Sequence, residues 1–252
     1  MDILNLFHVQ EMIAVVTGGG IGLMIAKALV SAGASKVYIL GRRKDKLELA
    51  AAQHESLIPL QCDITSKESL QAAVDTIAKD VGFINLLVAN SGILGPTSSF
   101  VPGLGVQELR KNIFEDTAME EFAQTFHVNT TATYFSMFAF LELLDAGNKN
   151  ALDGGFGKPL GEGSKVPSIQ SQVIITSSVG AFLREWQCAP AYAGSKAAIT
   201  HMVKHASTGL APHGIRINAL APGCTSSKSP NSRDLPLIRY TSLSLRNGQY
   251  YY

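Results

Sequence analysis

Tyr192 and Lys196 are the residues whose types and spacing point most directly to chemistry. Positions i and i+4 share one face of a helix, so the two side chains are expected to point the same way. A free phenol has a pKa of about 10, and a nearby ammonium lowers that pKa by stabilising the phenolate. The pair therefore predicts a tyrosine that gives a proton to a carbonyl or takes one from an alcohol. The same spacing on its own also fits an ordinary pair on a helix surface.

Polar residues earlier in the chain strengthen the chemical interpretation of this pair. Ser177 and Ser178 directly follow the apolar run 173–176, which is typical of a strand. Ligands of doubly wound α/β proteins bind at the carboxyl ends of such strands, so a serine there is well placed to meet a substrate. Asn129 lies in a long helical region from about Met119 to Leu144. The pattern predicts one site built from several distant segments.

A glycine-rich turn, Thr-Gly-Gly-Gly-Ile-Gly at residues 17–22, separates an apolar run at 13–17 from a helical stretch at 23–31. Glycines let the backbone approach a diphosphate, and the first turn of the following helix offers N–H groups and partial positive charge. The context predicts a dinucleotide-binding turn. The alternative is a tight connection between strand and helix that binds nothing.

The elements that would position these residues alternate regularly between strand and helix. Six short apolar runs predict strands, at 13–17, 37–40, 57–62, 85–90, 173–176 and 215–220. Such alternation predicts an α/β fold with a doubly wound parallel sheet of the Rossmann type, in a single domain. Pro59 lacks an N–H and is therefore expected on an edge strand. We expect the domain to span residues 1–223 with an exposed insertion at about 145–170, followed by an irregular tail at 224–252.

Together these motifs resemble the short-chain dehydrogenase/reductase family over about residues 11–223. The resemblance implies the catalytic set Asn129, Ser178, Tyr192 and Lys196. Ser178 would hydrogen-bond the substrate oxygen, Tyr192 would transfer the proton, and Lys196 would bind the nicotinamide ribose. Asn129 would hold a water that connects Lys196 to solvent. Ser178 stands fourteen residues before the tyrosine, one more than is usual in the family, and Ser177 fits that spacing less well.

The resemblance also implies which residues hold the cofactor. Asp63 would accept a hydrogen bond from the adenine amino group, although a helix or turn cap is an equal alternative for this residue. Asn90 and Gly92 match the family's turn after the fourth strand, and Thr225 would contact the nicotinamide amide. The full set is Gly18, Gly20, Ile21, Gly22, Arg42, Arg43, Asp63, Asn90, Gly92, Tyr192, Lys196, Pro222, Gly223 and Thr225.

Arg42 and Arg43 stand at the end of the second predicted strand, where relatives that prefer NAD usually carry an acid. A planar guanidinium forms paired, charge-assisted hydrogen bonds with phosphate. The sequence therefore predicts NADP(H), with Arg42 as the first candidate for the 2′-phosphate and Arg43 as the second. Two solvated arginines in a turn are the alternative.

Bulk properties exclude several other classes of protein. The net charge is +1 and no basic face stands out, which argues against nucleic-acid binding. No apolar run approaches the roughly 20 residues of a membrane helix. Three scattered cysteines and the absence of a secretory leader favour a soluble cytoplasmic protein. His201 and His205 have a spacing that suits zinc, but no third ligand is evident, so we expect no metal.

Two departures from the family pattern leave the function open. The glycine turn is two residues shorter than usual, and the tail shows neither a substrate-covering helix nor a seventh strand, which would leave the sixth strand as an exposed edge. The first hypothesis is an NADP(H)-dependent oxidoreductase acting on a carbonyl or secondary alcohol. The second is a catalytically weak NADP-binding or scaffold protein. A homodimer through the long helices, about Met119–Leu144 and Tyr192–Leu210, is also expected.

Overall fold

Six parallel strands form one sheet in the order β3-β2-β1-β4-β5-β6. The structure is a computed structural model that describes residues 9–52, 54–98, 100–184 and 188–223. The strands are β1 Ile13–Thr17, β2 Lys36–Gly41, β3 Leu57–Gln61, β4 Leu86–Ala89, β5 Gln172–Thr176 and β6 Arg216–Leu220. This is the predicted doubly wound parallel sheet in a single domain.

Helices connect the strands and cover both faces of the sheet. They are α1 Ile21–Ser31, α2 Lys44–Ala51, α3 Lys67–Asp80, α4 Val106–Arg110, α5 Met119–Phe126, α6 Thr133–Ala139, α7 Leu141–Leu152 and α8 Pro190–Leu210. Two π-helical turns, Lys111–Glu115 and His127–Ala132, follow α4 and α5. Within the described residues, no helix is both long and apolar enough to span a lipid bilayer.

The central strands are apolar on both faces because helices pack on both sides of them. All five residues of β1 are buried. Ala14 and Val16 belong to a core cluster with Ala26 of α1, whereas Ile13 and Val15 belong to the cluster on the opposite face, which the later helices complete. The strand order reverses between β1 and β4, because β2 and β3 extend the sheet on one side of β1 and the later strands extend it on the other. In such folds a crevice opens at the carboxyl ends of the strands at this point. The site described below lies there.

The edge formed by β3 agrees with the expectation from Pro59. Pro59 lies on β3, which forms one edge of the sheet, where a missing N–H breaks no pairing. At the other edge, β6 pairs with β5 alone among the described strands, and four of its five residues are exposed while Ile217 is buried. The tail at 224–252 lies outside the described residues.

Several predicted helix boundaries were wrong. The first helix begins at Ile21 rather than 23, and the last begins at Pro190, because proline suits the first helical position. The single helix expected over 119–144 is divided by a π-helical turn and continues to Leu152. Gly147 allows this continuation, since a Cβ there would lie 2.1 Å from the carbonyl oxygen of Ile84. The segment without helix or strand therefore begins at 153, not at 145.

Candidate active site

Tyr192 and Lys196 lie one turn apart in the first half of α8, on the same face as predicted. The Lys196 side chain is only 4% exposed, its Nζ lies 5.7 Å from the centre of the Tyr192 ring, and it donates to the carbonyl oxygen of Thr176 at 2.6 Å. Burial lowers the pKa of Lys196 to about 8. Lys196 is thus buried and Tyr192 half-buried, unlike a solvated pair on a helix surface.

The two serines at the end of β5 have different surroundings. Ser177 Oγ lies 3.2 Å from the carbonyl oxygen of Lys196 and 2.5 Å from Thr200 Oγ1, so it ties β5 to α8. Among the described hydrogen bonds, Ser178 forms none with α8, and its Oγ accepts from the backbone N–H of Gly180 at 3.0 Å. Ser178 is therefore the better placed of the two to donate to a substrate, as the family spacing implies.

Cys188 belongs to the same neighbourhood, which sequence reasoning did not foresee. A Cβ added to Gly180 would lie 3.3 Å from Ser178 Oγ, 2.8 Å from Cys188 Sγ and 3.8 Å from Tyr192 Cε1. Gly180 therefore keeps a small space open between these three side chains. Only the short sequence distance between Cys188 and the tyrosine could have indicated this.

Asn129 lies in the π-helical turn between α5 and α6 and is 1% exposed. Its amide forms two hydrogen bonds with the backbone of Ile93, accepting from N–H and donating to C=O, each at 2.8 Å. Its Nδ2 also donates to Ser195 Oγ at 3.0 Å. Asn129 therefore fixes the loop after β4 against α8, beside Lys196.

Three glycines form the turn between β1 and α1. Gly18 and Gly20 have φ of +79° and +59°, a backbone region that favours glycine. The turn is anchored to β4, because Asn90 Nδ2 donates to the carbonyl oxygens of Thr17 and Gly19 at 3.1 and 3.2 Å. The turn is thus well defined although it is two residues short.

Gly22 is the tightest point of the turn, and it gives a direct test of the local packing. A Cβ there would lie 2.6 Å from Asn90 Nδ2 and 3.0 Å from the carbonyl oxygen of Thr17, whereas a Cβ on Gly19 meets nothing within 4 Å. We expect Gly22→Ala to lower the free energy of unfolding by about 1–3 kcal/mol, as overpacking does. Urea denaturation measures this change. Gly19→Ala, the control for stability, should stay within about 0.5 kcal/mol of the parent; equal losses in both variants would contradict this account.

A cavity of about 760 Å³ lies at the carboxyl ends of β1, β2 and β4. Its walls include half of the predicted cofactor residues, namely Gly18, Gly20, Arg42, Arg43, Asp63, Asn90 and Gly92. Lys27 and Lys46 also line it, and sequence reasoning did not single them out. Open space above Gly19 and Gly20, cationic side chains and the first turn of α1 fit a ligand that carries phosphate groups.

Asp63 caps a local turn and also lines the cavity. Its Oδ1 accepts from the backbone N–H of Thr65 at 3.0 Å and from the Thr65 hydroxyl at 2.7 Å, which is a local turn cap. These bonds, and more weakly the charge of Arg42, hold the pKa of Asp63 below its ordinary value. Asp63 still lines the cavity as a carboxylate, so capping and ligand contact are compatible.

Gly92 joins the cavity to the catalytic candidates. A Cβ on Gly92, which lines the cavity, would lie 3.0 Å from Asn129 Oδ1 and 3.5 Å from Lys196 Nζ. On the other side, the carbonyl oxygen of Pro222 accepts from the backbone N–H of Val179, next to Ser178, at 3.0 Å. Of the remaining predicted residues, Ile21 begins α1, Gly223 is exposed beyond Pro222, and Thr225 lies outside the described residues.

A family model for short chain dehydrogenases matches residues 12–152 and 166–235. The chain belongs to the short-chain dehydrogenase/reductase family. It is 61% identical to the short-chain dehydrogenase/reductase SAT3 of Stachybotrys chartarum, over 79% of this chain and 73% of that protein. It is 49% identical to PhomF of Diaporthe leptostromiformis, over 87% and 71% of the two chains. A solved short-chain dehydrogenase/reductase from Mycobacterium marinum is 26% identical, with a TM-score of 0.68 over 88% of this chain and 78% of that one.

Membership in the short-chain dehydrogenase/reductase family makes the chain an oxidoreductase that uses a nicotinamide cofactor and a small-molecule substrate. No group of three or more side chains suited to a metal ion occurs in the part of the chain that the structure describes.

Proposed function

We propose that the chain is an NADP(H)-dependent oxidoreductase that acts on a carbonyl compound or a secondary alcohol, with Tyr192 as the general acid or base. The observation that carries this proposal is the continuity of the site. Buried Lys196 lies next to Tyr192, and its Nζ would be 3.5 Å from a Cβ placed on Gly92. Gly92 lines the same cavity as Arg42 and Arg43.

Each catalytic candidate has a role that its contacts support. Tyr192 gives the proton to a carbonyl oxygen during reduction, and the ammonium of Lys196 favours the phenolate left behind. Ser178 hydrogen-bonds the same oxygen. Asn129 holds Ser195 and the loop after β4, and so fixes the position of Lys196. The nicotinamide supplies or accepts the hydride.

The preference for NADP(H) rests on the charges at the end of β2. Arg42 and Arg43 line the cavity there, and both are exposed enough to reach a phosphate. Among the described residues that line the cavity, Asp63 is the only one with a carboxylate, and it follows β3 instead. Guanidinium groups favour a ribose that carries a 2′-phosphate over one with a free hydroxyl.

A thermal melt with each cofactor tests this preference. NADPH at a hundredfold excess over its Kd should stabilise the folded chain by about 2.7 kcal/mol and so raise the Tm. NADH at the same concentration should raise the Tm less. Arg42→Ala should weaken NADPH binding about tenfold and NADH binding much less, because a charge-assisted contact to phosphate is lost. Arg110→Ala, outside the cavity lining, is the control. An equal loss for both cofactors would refute the assignment of Arg42.

A second candidate function retains cofactor binding without efficient turnover. The exposed end of β6 favours it, because Leu220 is 43% exposed although its carbonyl oxygen accepts from the N–H of Ser177 beside the site. Water that reaches the reacting groups weakens every electrostatic interaction there. The expected cytoplasmic location and the homodimer through the long helices stay predictions.

A further inference from the structure

We infer that Lys46 is a ligand of the 2′-phosphate of NADP(H), in a subsite that extends from the end of β2 into the groove between α1 and α2. This inference rests on the proposed cofactor. It adds a residue that determines cofactor specificity and that lies in the first turn of α2, three residues after Arg43.

The subsite exists because the cavity continues past the glycine turn. Leu23 of α1 and Leu47 and Ala50 of α2 line this extension, which we call the α1–α2 groove, and Lys27 and Lys46 stand on its two sides. Two features keep the groove open to the cavity. The turn contains only three residues between β1 and α1. A Cβ placed on Gly19 or on Gly20 would have no other atom within 4 Å.

Charge decides which part of the cavity receives a phosphate. The wall after β3 carries Asp63, whose carboxylate is ionised at neutral pH even at its ordinary pKa and therefore repels an anion. The guanidinium of Arg42 contributes weakly to the lowered pKa of that carboxyl, after the two hydrogen bonds from Thr65. A dianionic phosphate needs further cations, and the groove wall provides them.

Lys46 is the cation of the groove that can turn to a phosphate at little cost. Its nearest carboxylate is Asp45, with Nζ and Oδ2 3.7 Å apart, and the two side chains are 61% and 72% exposed. Such a loose surface pair contributes little free energy, so Lys46 can exchange it for a phosphate contact. Lys46 also lies in the first turn of α2, where the N-terminal partial charge favours an anion.

Lys44 provides a matched control on the same helix. It has a similar loose ion pair, with Glu48 at 3.7 Å and 69% exposure, but it does not line the cavity. Lys46→Ala and Lys44→Ala therefore remove equal charge from α2, and differ only in whether that charge faces the groove. Any general effect of net charge on anion binding is common to both variants.

The experiment is isothermal titration of the purified chain with adenosine 2′,5′-bisphosphate and with adenosine 5′-monophosphate, which differ only in the 2′-phosphate. Lys46→Ala should raise the Kd for the bisphosphate about tenfold and leave that for the monophosphate unchanged. Lys46→Arg should keep the affinity for the bisphosphate within about threefold. Lys44→Ala should change neither Kd.

An equal change for both nucleotides in Lys46→Ala, or an equal effect of Lys46→Ala and Lys44→Ala, would overturn the role of Lys46 while leaving NADP(H) as the cofactor. Failure of the parent chain to distinguish the two nucleotides would overturn the proposed cofactor preference and the subsite together. Neither result depends on turnover, so a loss of catalysis in other variants cannot be mistaken for either.

Discussion

Replacing Tyr192 by phenylalanine is expected to lower the rate of NADPH oxidation with a carbonyl substrate by about 10³-fold or more. The substitution removes only the hydroxyl that transfers the proton, a step that contributes roughly 10²–10⁴-fold to such reactions. The ring remains beside Lys196 Nζ, so the fold and the cofactor cavity should be unaffected. The measurement is the initial rate of NADPH absorbance loss over a panel of ketones and aldehydes.

Binding separates catalysis from structural damage in this experiment. Tyr192→Phe should give the same rise in Tm with NADPH as the parent chain. Tyr134→Phe, which removes a hydroxyl from α6 outside the cavity lining, should keep the parent rate. If Tyr192→Phe oxidised NADPH as fast as the parent, Tyr192 would not be the general acid. A parent chain that bound NADPH but oxidised it with no carbonyl would support the second candidate function instead.

Lys196→Met is expected to change how stability depends on pH, besides abolishing turnover. Burial holds the pKa of Lys196 at about 8, whereas the unfolded chain has the ordinary lysine value of about 10.4. Between these two values the unfolded state binds more protons than the folded state. The parent's free energy of unfolding therefore gains up to roughly 3 kcal/mol from this group as pH rises from 8 to 10.5.

Methionine at 196 has no proton to lose, so the variant should lack that gain. Urea denaturation at pH 7.5 and at pH 10.5 measures the difference between the two proteins. From pH 7.5 to pH 10.5, the free energy of unfolding of the variant should fall relative to that of the parent by up to roughly 3 kcal/mol. Lys204→Met, at an exposed position further along α8, should keep the parent's dependence on pH. Parallel curves for the parent and Lys196→Met would contradict the buried ammonium.

The sequence predicted the sheet well because its signals were local and repeated. Buried runs such as 13–17 and 173–176 are apolar on both faces, and each is followed by a glycine or serine where the strand ends. The proximity of Tyr192 and Lys196 could also be predicted, because residues four apart lie on the same face of a helix. Pro59 indicated an edge through a single missing N–H, and that strand does form an edge.

Features that depend on tertiary contact were not visible in the sequence. Asn129 lies in a π-helical turn, and its side chain forms hydrogen bonds with Ile93 and Ser195, which are distant in the sequence. Gly147 lowers helix propensity, yet the helix continues through it because a close contact with Ile84 requires a glycine. The sequence does not distinguish Lys46 from other solvated lysines, because its place beside the α1–α2 groove depends on the tertiary structure.

The hydroxyl of Thr17 accepts from the backbone N–H groups of both Asn90 and Ser91, at 3.0 and 3.1 Å. Ile93 lies two residues after Ser91, and its backbone forms two further hydrogen bonds with the side chain of Asn129. The loop after β4 is thus bonded at one end to the glycine turn and at the other to the helices that carry the catalytic candidates. The loop therefore loses its conformational entropy during folding, and a ligand that enters the cavity does not have to order it. The rate at which the ligand binds should then be limited mainly by diffusion and orientation.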